Sequence, residues 1–482
     1  MAEPIVTVIL NHNIVSEHPL RTSDPFTLGP LDQLVHTGVS INVVWFYESM
    51  TQDELVPLFK FRRAINRLLD FYPHLTGRLS IHPDSGTRTI RKLGTGMHLI
   101  EAKCNASLQK FREKSQRVSN ELDIFSFPQS GDALLAPWDP SPEAVQRDPI
   151  FTIQHTRFAC SAVAIGMRIS HVVCDAGGFL QVYQDLAEIY RAIGTKTDLA
   201  TVSLSVPPCL NSFMVDKMLH MDPKECEQAL SKTPKHFFLA TATESTSIWS
   251  QYDTSEPILG RSMNISSANL ANLKAQAVAL DGSTTFSSFC VLSAYLWQQT
   301  HIARLHRSNR LHSPTSSPYS KSAFLTSVNF STQMGLPSHS FGNSIITPFA
   351  ELTSDQLATR SISNTAQIIY ELTQIGPTTE IKEQAKWIAA QPDKTLIRYS
   401  FPFSPSSFMT SGWHRFPLYQ GAALDVEPVF VSPTFIPTFL VDGLVYFLKP
   451  RDGRDGLDMI MSLRESTWKE LDQCDGFAKM FR

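Results

Sequence analysis

Hydrophobic and polar positions along the chain follow two alternating periods. Runs with a period of two, or short runs that are apolar throughout, predict strands at residues 5–10, 40–47, 426–447 and 457–463, and either a strand pair or one long buried strand at residues 152–170. Runs with the helical period predict helices at residues 52–71, 178–193, 268–279, 287–307 and 465–480. Strands and helices that alternate in this way predict a mixed α/β protein.

Polar and proline-rich stretches divide these elements. Residues 125–149 are dense in Pro, Asp and Ser, and residues 308–322 in Ser, Pro and Arg, so both stretches predict long surface loops. A stretch of Ser, Pro and Leu near residues 202–211 marks a change between two halves. We therefore expect an N-terminal domain over residues 1–205, a linker over residues 206–225 and a C-terminal domain over residues 226–482.

The composition argues against several classes of protein. The 482 residues are 42% hydrophobic and 18% charged with a net charge of −3, which is typical of a globular protein and unlike a nucleic-acid-binding one. Its seven cysteines are scattered without a CxxC pair, which favours reduced thiols over a disulfide framework or a zinc site. No apolar run is long enough to span a bilayer, and no signal pattern opens the chain. We expect a cytoplasmic monomer without a bound metal.

Residues 167–178 (MRISHVVCDAGG) hold the most informative chemistry in the chain. A predicted strand runs into His171, a short turn carries Asp175, and Gly177 and Gly178 open a helix. The imidazole therefore lies beside the exposed N–H groups of a helix start, where glycines allow a ligand to approach the backbone. A histidine with an ordinary pKa near 6.5 can take a proton from an alcohol at neutral pH. Asp175 is expected to cap the helix and fix the turn.

The spacing of this histidine and aspartate is by itself a weak signal. Among the fifteen histidines only His171 has an aspartate four residues later, and one such match is expected by chance. The alternative is that His171 is an ordinary residue at a strand end and Asp175 an ordinary helix cap. The Ala-Gly-Gly that follows and the change from strand to helix favour a functional site.

Further phrases along the chain make the pattern specific. The segment HVVCDAGG resembles the HxxxDxxG signature of the BAHD acyltransferase family. Six other phrases resemble family motifs in the same order: residues 28–34 (LGPLDQL), 72–79 (YPHLTGRL), 271–274 (ANLK), 287–297 (SSFCVLSAYLW), 341–343 (FGN) and 411–418 (SGWHRFPL). Each phrase is weak alone, but their shared order over most of the chain is a strong resemblance.

The resemblance implies a fold, a reaction and a set of site residues. It implies two similar mixed-sheet domains of the chloramphenicol-acetyltransferase-like type, with a solvent channel between them and His171 midway along it. Acyl-CoA, with acetyl-CoA as the first expectation, enters as a co-substrate from one side, and a small alcohol or amine of secondary metabolism enters from the other. His171 takes the acceptor proton, and the acyl group moves directly without a covalent enzyme intermediate. Trp413 and Ser411 are expected to stabilise the oxyanion.

The resemblance also implies where coenzyme A binds. The C-terminal domain is expected to hold most of it, with Lys274 at the phosphates and Ser287 or Ser288 at the pantetheine or ribose. Gly177 and Gly178 are further candidates, because a bare backbone allows close approach. The alternative for Lys274 is a solvated helix lysine, and that for Trp413 is core packing.

One family phrase is absent. The DFGWG motif is replaced by residues 422–426 (AALDV), and the arginine-bearing phrase that pairs with it corresponds to residues 329–333 (NFSTQ). Loss of both partners together avoids a stranded buried charge. We therefore expect Ala422 to contact residues 329–333 without charges, unless Asp425 pairs with another arginine. The departure places the chain nearer to fungal secondary-metabolite members, such as trichothecene acetyltransferases, than to the plant type.

Three other functions compete with this interpretation. A carrier-protein-dependent condensation domain shares the architecture but carries HHxxxDG, whereas Ser170 and Ala176 stand at the differing positions here. A catalytically silent binding homologue would explain the missing DFGWG but not the intact His171 and Asp175. A serine hydrolase needs a GxSxG elbow, which no serine of the chain provides.

Overall fold

Two mixed sheets organise the protein, which we describe from a computed structural model. The structure describes residues 3–19, 21–51, 54–115, 121–194, 199–241, 256–278, 285–311, 319–435, 441–451 and 455–481. Within those residues the first sheet has six strands, in the spatial order β1 (Val6–Ile14), β6 (Met97–Cys104), β7 (Phe151–Phe158), β8 (Val163–Ser170), β3 (Ser40–Tyr47) and β17 (Phe430–Pro433).

The second sheet also has six strands among the described residues. Their order is β10 (Ile258–Ile265), β19 (Leu457–Arg464), β18 (Leu444–Leu448), β16 (Phe408–Gly412), β11 (Lys321–Thr326) and β14 (Phe349–Thr353). Smaller sheets join β2 (Phe26–Thr27), β5 (Arg88–Arg91) and β4 (Arg78–Ile81); β12 (Val328–Asn329) and β13 (Ile345–Ile346); and β9 (Phe237–Leu239) and β15 (Ile397–Tyr399). Each large sheet contains parallel and antiparallel pairs, as a mixed α/β protein requires.

Helices cover the sheets and connect them. In the first half they are α1 (Leu58–Phe71), α2 (Leu108–Lys114), α3 (Ala144–Arg147) and α4 (Ala176–Ile193). In the second half they are α5 (Val215–Leu219), α6 (Pro223–Leu230), α7 (Ser267–Gln276), α8 (Ser288–Leu311), α9 (Ser354–Thr359), α10 (Ile362–Thr373), α11 (Thr378–Ala390), α12 (Glu465–Asp472) and α13 (Asp475–Met480). The apolar sides of α1 and α4 bury one face of the first sheet, which forms the largest hydrophobic core.

The sheets are not built from separate halves of the chain. Strand β17, from the second half, pairs antiparallel with β3 at the edge of the first sheet, with Phe430 opposite Phe46 and Pro433 opposite Val43. This pairing carries the chain from the second half across to the strand next to β8. The end of β8 therefore lies within reach of residues from both halves.

Most predicted elements are present, with three corrections. The helix predicted over residues 52–71 begins only at Leu58, because Pro57 caps it and the N–H of Val56 is bonded to Asp425 at 2.8 Å. The strand predicted over residues 426–447 is two short strands in different sheets. The helix predicted over residues 465–480 is broken at Cys474, whose backbone is extended.

The two predicted loops also differ from expectation. In residues 308–322 the helix continues to Leu311 and a strand begins at Lys321, while residues 312–318 lie outside the described residues. Residues 125–149 are not purely a surface loop, since Phe127, Leu134 and Leu135 are buried in a second core of the first half. This segment therefore packs onto the first sheet instead of standing away from it.

Candidate active site

His171 is held in place by its main chain. It directly follows Ser170, the last residue of β8. Its N–H donates to the carbonyl of Val39 at 3.0 Å, and its carbonyl accepts from Nδ2 of Asn343 at 3.0 Å. Because Val39 precedes β3 and Asn343 belongs to the second half, both parts of the chain fix the position of the imidazole.

The environment of His171 favours the neutral ring. Burial lowers the pKa of His171 below its ordinary 6.5, and nearby backbone groups and the charge of Asp175 oppose part of that drop. The residue is half-buried, with its Nδ1 atom closed off from solvent. Nε2 is therefore the candidate nitrogen for a base, and a lowered pKa keeps the ring neutral at neutral pH.

Asp175 is the N-cap of α4, as the sequence predicted. Its Oδ1 accepts from the N–H groups of Gly177 at 2.9 Å and Gly178 at 3.1 Å, and its Oδ2 accepts from the N–H of Ser344 at 3.0 Å. The carboxylate is buried, and burial raises its pKa while these hydrogen bonds oppose the rise. All three bonds go to backbone, so the side chain supports the turn that carries His171.

The two glycines allow close packing at the start of α4. A Cβ at Gly178 would lie 3.0 Å from the Cβ of Cys174 and 3.3 Å from the ring of Phe341. A Cβ at Gly177 would lie 3.2 Å from Oδ1 of Asp175. These contacts give both glycines a packing role. Contact of either glycine with coenzyme A stays a prediction.

The Trp413 turn from the second half lies against this helix start. Ser411 is half-buried on β16, and Trp413 follows that strand with its ring centre 5.7 Å from that of Phe416. The ring of Phe416 in turn comes within 3.9 Å of the Cβ position of Gly177. Among the described residues, none accepts a hydrogen bond from the indole N–H of Trp413. Phe416 therefore links Trp413 to the start of α4, and the roles of Trp413 and Ser411 as oxyanion donors stay a prediction.

The start of α8 adjoins the same turn. Oγ of Ser287 accepts from the N–H of Cys290 at 3.2 Å, and Ser288 is the first helical residue. Phe289 stacks on the ring of His414, the residue that follows Trp413, with 6.0 Å between ring centres. These contacts bring two of the predicted coenzyme A residues next to the Trp413 turn.

Lys274 lies apart from this group. It is on α7, near the C-terminal end of that helix, and is half-buried. Its side chain forms no ion pair with any residue that the structure describes. No contact joins it to the His171 or Trp413 turns, and its role in binding phosphates stays a prediction.

Two residues that the sequence did not assign to the site organise it. Oδ1 of Asp32 accepts from the N–H of Asn343 at 2.9 Å and from its Nδ2 at 2.8 Å, and Oδ2 accepts from the N–H of Gly29 at 2.8 Å. Burial raises the pKa of Asp32 to about 6. Asp32 lies within the phrase LGPLDQL and Asn343 ends the phrase FGN, so two family-like motifs contained these residues.

The region of the missing motif is rebuilt differently from expectation. Ala422 is buried in the main core, and its carbonyl accepts from the hydroxyl of Tyr47 at 2.6 Å. Phe330, from the segment expected to contact it, packs in a different hydrophobic cluster. Ala422 and Phe330 therefore pack in separate clusters. Ala422 is buried and packed, as expected, and its contact with the other residues of 329–333 stays a prediction.

Asp425 has partners of its own. It accepts from the N–H of Val56 at 2.8 Å, from Nζ of Lys60 at 3.3 Å and from the hydroxyl of Tyr190 at 2.8 Å. Asp425 was expected to pair with an arginine, and its cationic partner is Lys60 instead. These bonds fasten residues 422–426 onto α1 and α4, so the segment is folded and packed without the family's own ion pair.

No group of three or more His, Cys, Asp or Glu side chains among the described residues is placed to hold a metal ion. None of the helices that the structure describes is both long and apolar enough to cross a membrane.

Comparison with known proteins identifies the family. The model of the Transferase family matches residues 5–474, so the chain belongs to this family, the BAHD acyltransferases. Its members are acyl-CoA-dependent acyltransferases, and the protein is an acyltransferase. The resemblance drawn from the seven phrases is confirmed.

Relatives of known activity and solved structures agree with this assignment. Hydroxycinnamoyltransferase 2 of Oryza sativa subsp. japonica is 24% identical over 410 residues, covering 84% of each chain. Hydroxycinnamoyl-CoA:5-hydroxyanthranilate N-hydroxycinnamoyltransferase HHT1 of Avena sativa is 25% identical over 414 residues, again covering 84% of each chain. Two solved structures share the fold: F. graminearum TRI101 complexed with coenzyme A and deoxynivalenol (TM-score 0.69, 16% identity, 95% of this chain and 99% of that one) and vinorine synthase (TM-score 0.69, 16% identity, 99% and 98%).

Proposed function

We propose that the protein transfers an acyl group, with acetyl as the first candidate, from coenzyme A to a hydroxyl of a small secondary metabolite. The observation that carries this proposal is the placement of His171. It is a half-buried histidine with a lowered pKa, its main chain is held by both halves of the chain, and we assign Nε2 as the base. The coenzyme A in solved relatives of the same fold supports the donor.

The reaction proceeds in two steps on these residues. Nε2 of His171 takes the proton of the acceptor hydroxyl as its oxygen bonds to the thioester carbon, which produces a tetrahedral oxyanion. The indole N–H of Trp413 and the hydroxyl of Ser411 donate to that oxyanion. When it collapses, the carbon–sulfur bond breaks and the imidazolium returns its proton to the departing thiolate. A hydroxyl suits a neutral imidazole better than an ammonium group, because a protonated amine must first lose a proton before it can attack.

Coenzyme A would lie along the second half, with Ser287 and Ser288 nearest the reacting carbon. Their position at the start of α8, beside the Trp413 turn, supports this placement. Lys274 is the candidate for the phosphates. Gly177 and Gly178 would leave the backbone bare where the thioester arrives.

The test is direct measurement of transfer. The protein is incubated with a panel of acyl-CoA thioesters and a library of alcohols and amines, and free thiol is followed together with the mass of the acylated product. Thiol release that depends on both substrates and is lost in His171→Ala is expected. The matched control is His82→Ala, because His82 is exposed and far along the chain from the site. Release that is unchanged in His171→Ala, or that needs no acceptor, would contradict the proposal.

A further inference from the structure

A row of buried polar side chains lies on the first sheet beside His171. Alternate residues of β3 bury Ile41, Val43 and Trp45 against the helices, so Asn42 faces the opposite side. On that side Arg168 of β8 is opposite Asn42, and it is also opposite Thr152 of β7. The three side chains are therefore neighbours on one face of the sheet.

These side chains have polar atoms without partners. Nδ2 of Asn42, Oγ1 of Thr152, and Nε and Nη1 of Arg168 are buried and form no hydrogen bonds with the residues that the structure describes. The same is true of Oγ of Ser170, which directly precedes His171, and of Oγ1 of Thr434, whose N–H donates to the carbonyl of Asn42 at 3.3 Å. We call these five residues the polar wall.

An accumulation of this kind needs a physical reason. Buried polar atoms in folded proteins nearly always have hydrogen-bond partners, so a cluster of unpartnered atoms calls for an explanation, of which a bound polar group is one. Six such atoms here belong to adjoining residues that end at the reaction base. Further along the same face Phe46 and Ala164 are apolar, and the polar side chains of Gln154 and Thr156 bond to each other at 3.0 Å. The unpartnered polar atoms of this face are therefore confined to the region next to His171.

Residues 132–134 pack over part of the wall, and they determine where the wall comes nearest to solvent. The carbonyl of Leu134 would come within 2.1 Å of a Cβ at Gly166, and the carbonyl of Ala133 accepts from Nε2 of Gln154 at 2.9 Å. These contacts hold the segment against the sheet. Asp132 accepts from Nη2 of Arg168 at 2.9 Å and is 26% exposed, so the wall meets solvent at this edge.

The charges of the wall decide the class of ligand. The positive charge of Arg168 is balanced by the negative charge of its partner Asp132. The other four residues of the wall are neutral. The unpaired Nε and Nη1 of Arg168 and Nδ2 of Asn42 are donors, so they need oxygen acceptors on the ligand. The carboxylate of Asp132 would repel a carboxylate on the ligand. Neutral hydroxyl, ether and carbonyl oxygens can accept these hydrogen bonds without that repulsion.

We propose that the polar wall is the acceptor subsite, and that Arg168 selects neutral acceptors carrying a second oxygen besides the reacting hydroxyl. This inference rests on the proposed acyl transfer and adds the class of acceptor to it. The unpartnered atoms of the wall are buried, and Asp132, which bonds Arg168, is partly exposed. An acceptor therefore enters at the Asp132 edge, beside the half-buried Trp138, whose ring centre is 5.7 Å from Cζ of Arg168.

The test compares two alcohols that differ by one oxygen. Cyclohexanol and tetrahydropyran-4-ol offer the same secondary hydroxyl, and only the second has an ether oxygen. Wild-type protein is expected to show a kcat/KM about tenfold or more higher for tetrahydropyran-4-ol, the range of a hydrogen bond to a charged group. In Arg168→Met this ratio should fall to about one, while the KM for acyl-CoA stays unchanged; Arg168→Lys should keep part of the preference.

A matched control and a binding measurement separate the two proposals. Arg157→Met makes the same change on neighbouring β7, where Nη2 of Arg157 only bonds the carbonyl of Leu55, and should leave the ratio unchanged. Saturation-transfer NMR detects binding of both alcohols without turnover. Binding of tetrahydropyran-4-ol that is lost in Arg168→Met would support the polar wall even if transfer itself failed. Equal binding of both alcohols by wild type, or an equal loss of both in Arg168→Met, would overturn it.

Discussion

The side-chain amide of Asn343 donates a hydrogen bond to the main-chain oxygen of His171 across 3.0 Å. The same nitrogen donates to Oδ1 of Asp32 across 2.8 Å. Asn343 belongs to the second half of the chain, whereas the other two residues belong to the first. One amide therefore links three separated segments, and the position of the base depends on both halves being in place.

Replacement of Asn343 should impair transfer more than folding. In Asn343→Leu the carbonyl of His171 loses its donor and the imidazole shifts, and a displacement of about 1 Å can cost roughly a hundredfold in rate. We expect kcat to fall about ten- to hundredfold with a small change in the KM for acyl-CoA. Asn329→Leu is the control, since Asn329 is exposed on nearby β12. Equal kcat values for the two variants would contradict the role of Asn343.

The pH dependence of transfer should report the pKa of His171. The neutral ring is the active form, and burial places the pKa of His171 below 6.5. kcat/KM should therefore be flat from pH 7 upward and fall with one proton's slope only at pH values below 6.5. His171→Ala should lose about two to four decades of rate and this acidic limb with it. A midpoint above pH 7 would show that a different group controls the reaction.

Asp175 should matter for both stability and rate. Asp175→Ala removes the acceptor of three backbone N–H groups, so we expect a loss of about 1–2 kcal/mol in the free energy of unfolding and a marked fall in kcat. Asp222→Ala is the matched control, because Asp222 caps α6 through bonds to two backbone N–H groups but lies outside the site. Urea unfolding and kcat are measured for both. If Asp222→Ala lowered kcat as much as Asp175→Ala, the effect would be one of stability alone.

Lys274 is tested through the donor. If its ammonium group meets the phosphates of coenzyme A, Lys274→Ala should raise the KM for acyl-CoA about three- to tenfold, which is the scale of a partly screened charge pair. The increase should shrink at high salt, and kcat should not change. Lys103→Ala, at an exposed position on β6, is the control. An unchanged KM would remove Lys274 from the site and leave the start of α8 as the main candidate.

The sequence predicted the parts of the fold that depend on local patterns. Strand β3 was predicted with its observed bounds, and α4 to within two residues, because their apolar residues repeat without interruption. The start of α1 was missed because it depends on Asp425, more than 350 residues away along the chain, which binds Val56 and Lys60. Such a partner leaves no mark on local periodicity.

The site could be predicted only as far as its motifs reached. His171 and Asp175 were recognisable because strand, turn and helix follow one another within a few residues. The polar wall could not be recognised, since Asn42, Thr152 and Arg168 are far apart in sequence and become neighbours only through the register of three strands. The surroundings of Ala422 show the same limit, since the hydroxyl of Tyr47 that bonds its carbonyl lies more than 350 residues away along the chain.

His74 provides a final test, of stability and not of catalysis. Both of its ring nitrogens are buried and have no hydrogen-bond partner in the described part of the chain, and its ring stacks on Phe26 with 4.6 Å between centres. Burial lowers the pKa of His74 to about 3. Between pH 3 and 6.5 the unfolded chain therefore binds this proton and the folded chain does not. The free energy of unfolding is therefore unaffected by this titration above pH 6.5, and it decreases progressively as the pH falls from 6.5 towards 3.

Phenylalanine at this position keeps the stacking and removes both unpaired nitrogens. At pH 8 we expect His74→Phe to raise the free energy of unfolding by about 1 kcal/mol, because two partnerless polar atoms no longer need desolvating. At pH 5 the gain should grow by about 2 kcal/mol, since wild type then also pays for keeping His74 neutral. The comparison is His155→Phe, which should destabilise, because Nε2 of His155 is paired with the carbonyl of Val56 at 2.9 Å. Urea unfolding at the two pH values measures both variants. A gain in His74→Phe that is the same at pH 5 and pH 8 would mean that His74 is not the group whose protonation opposes folding.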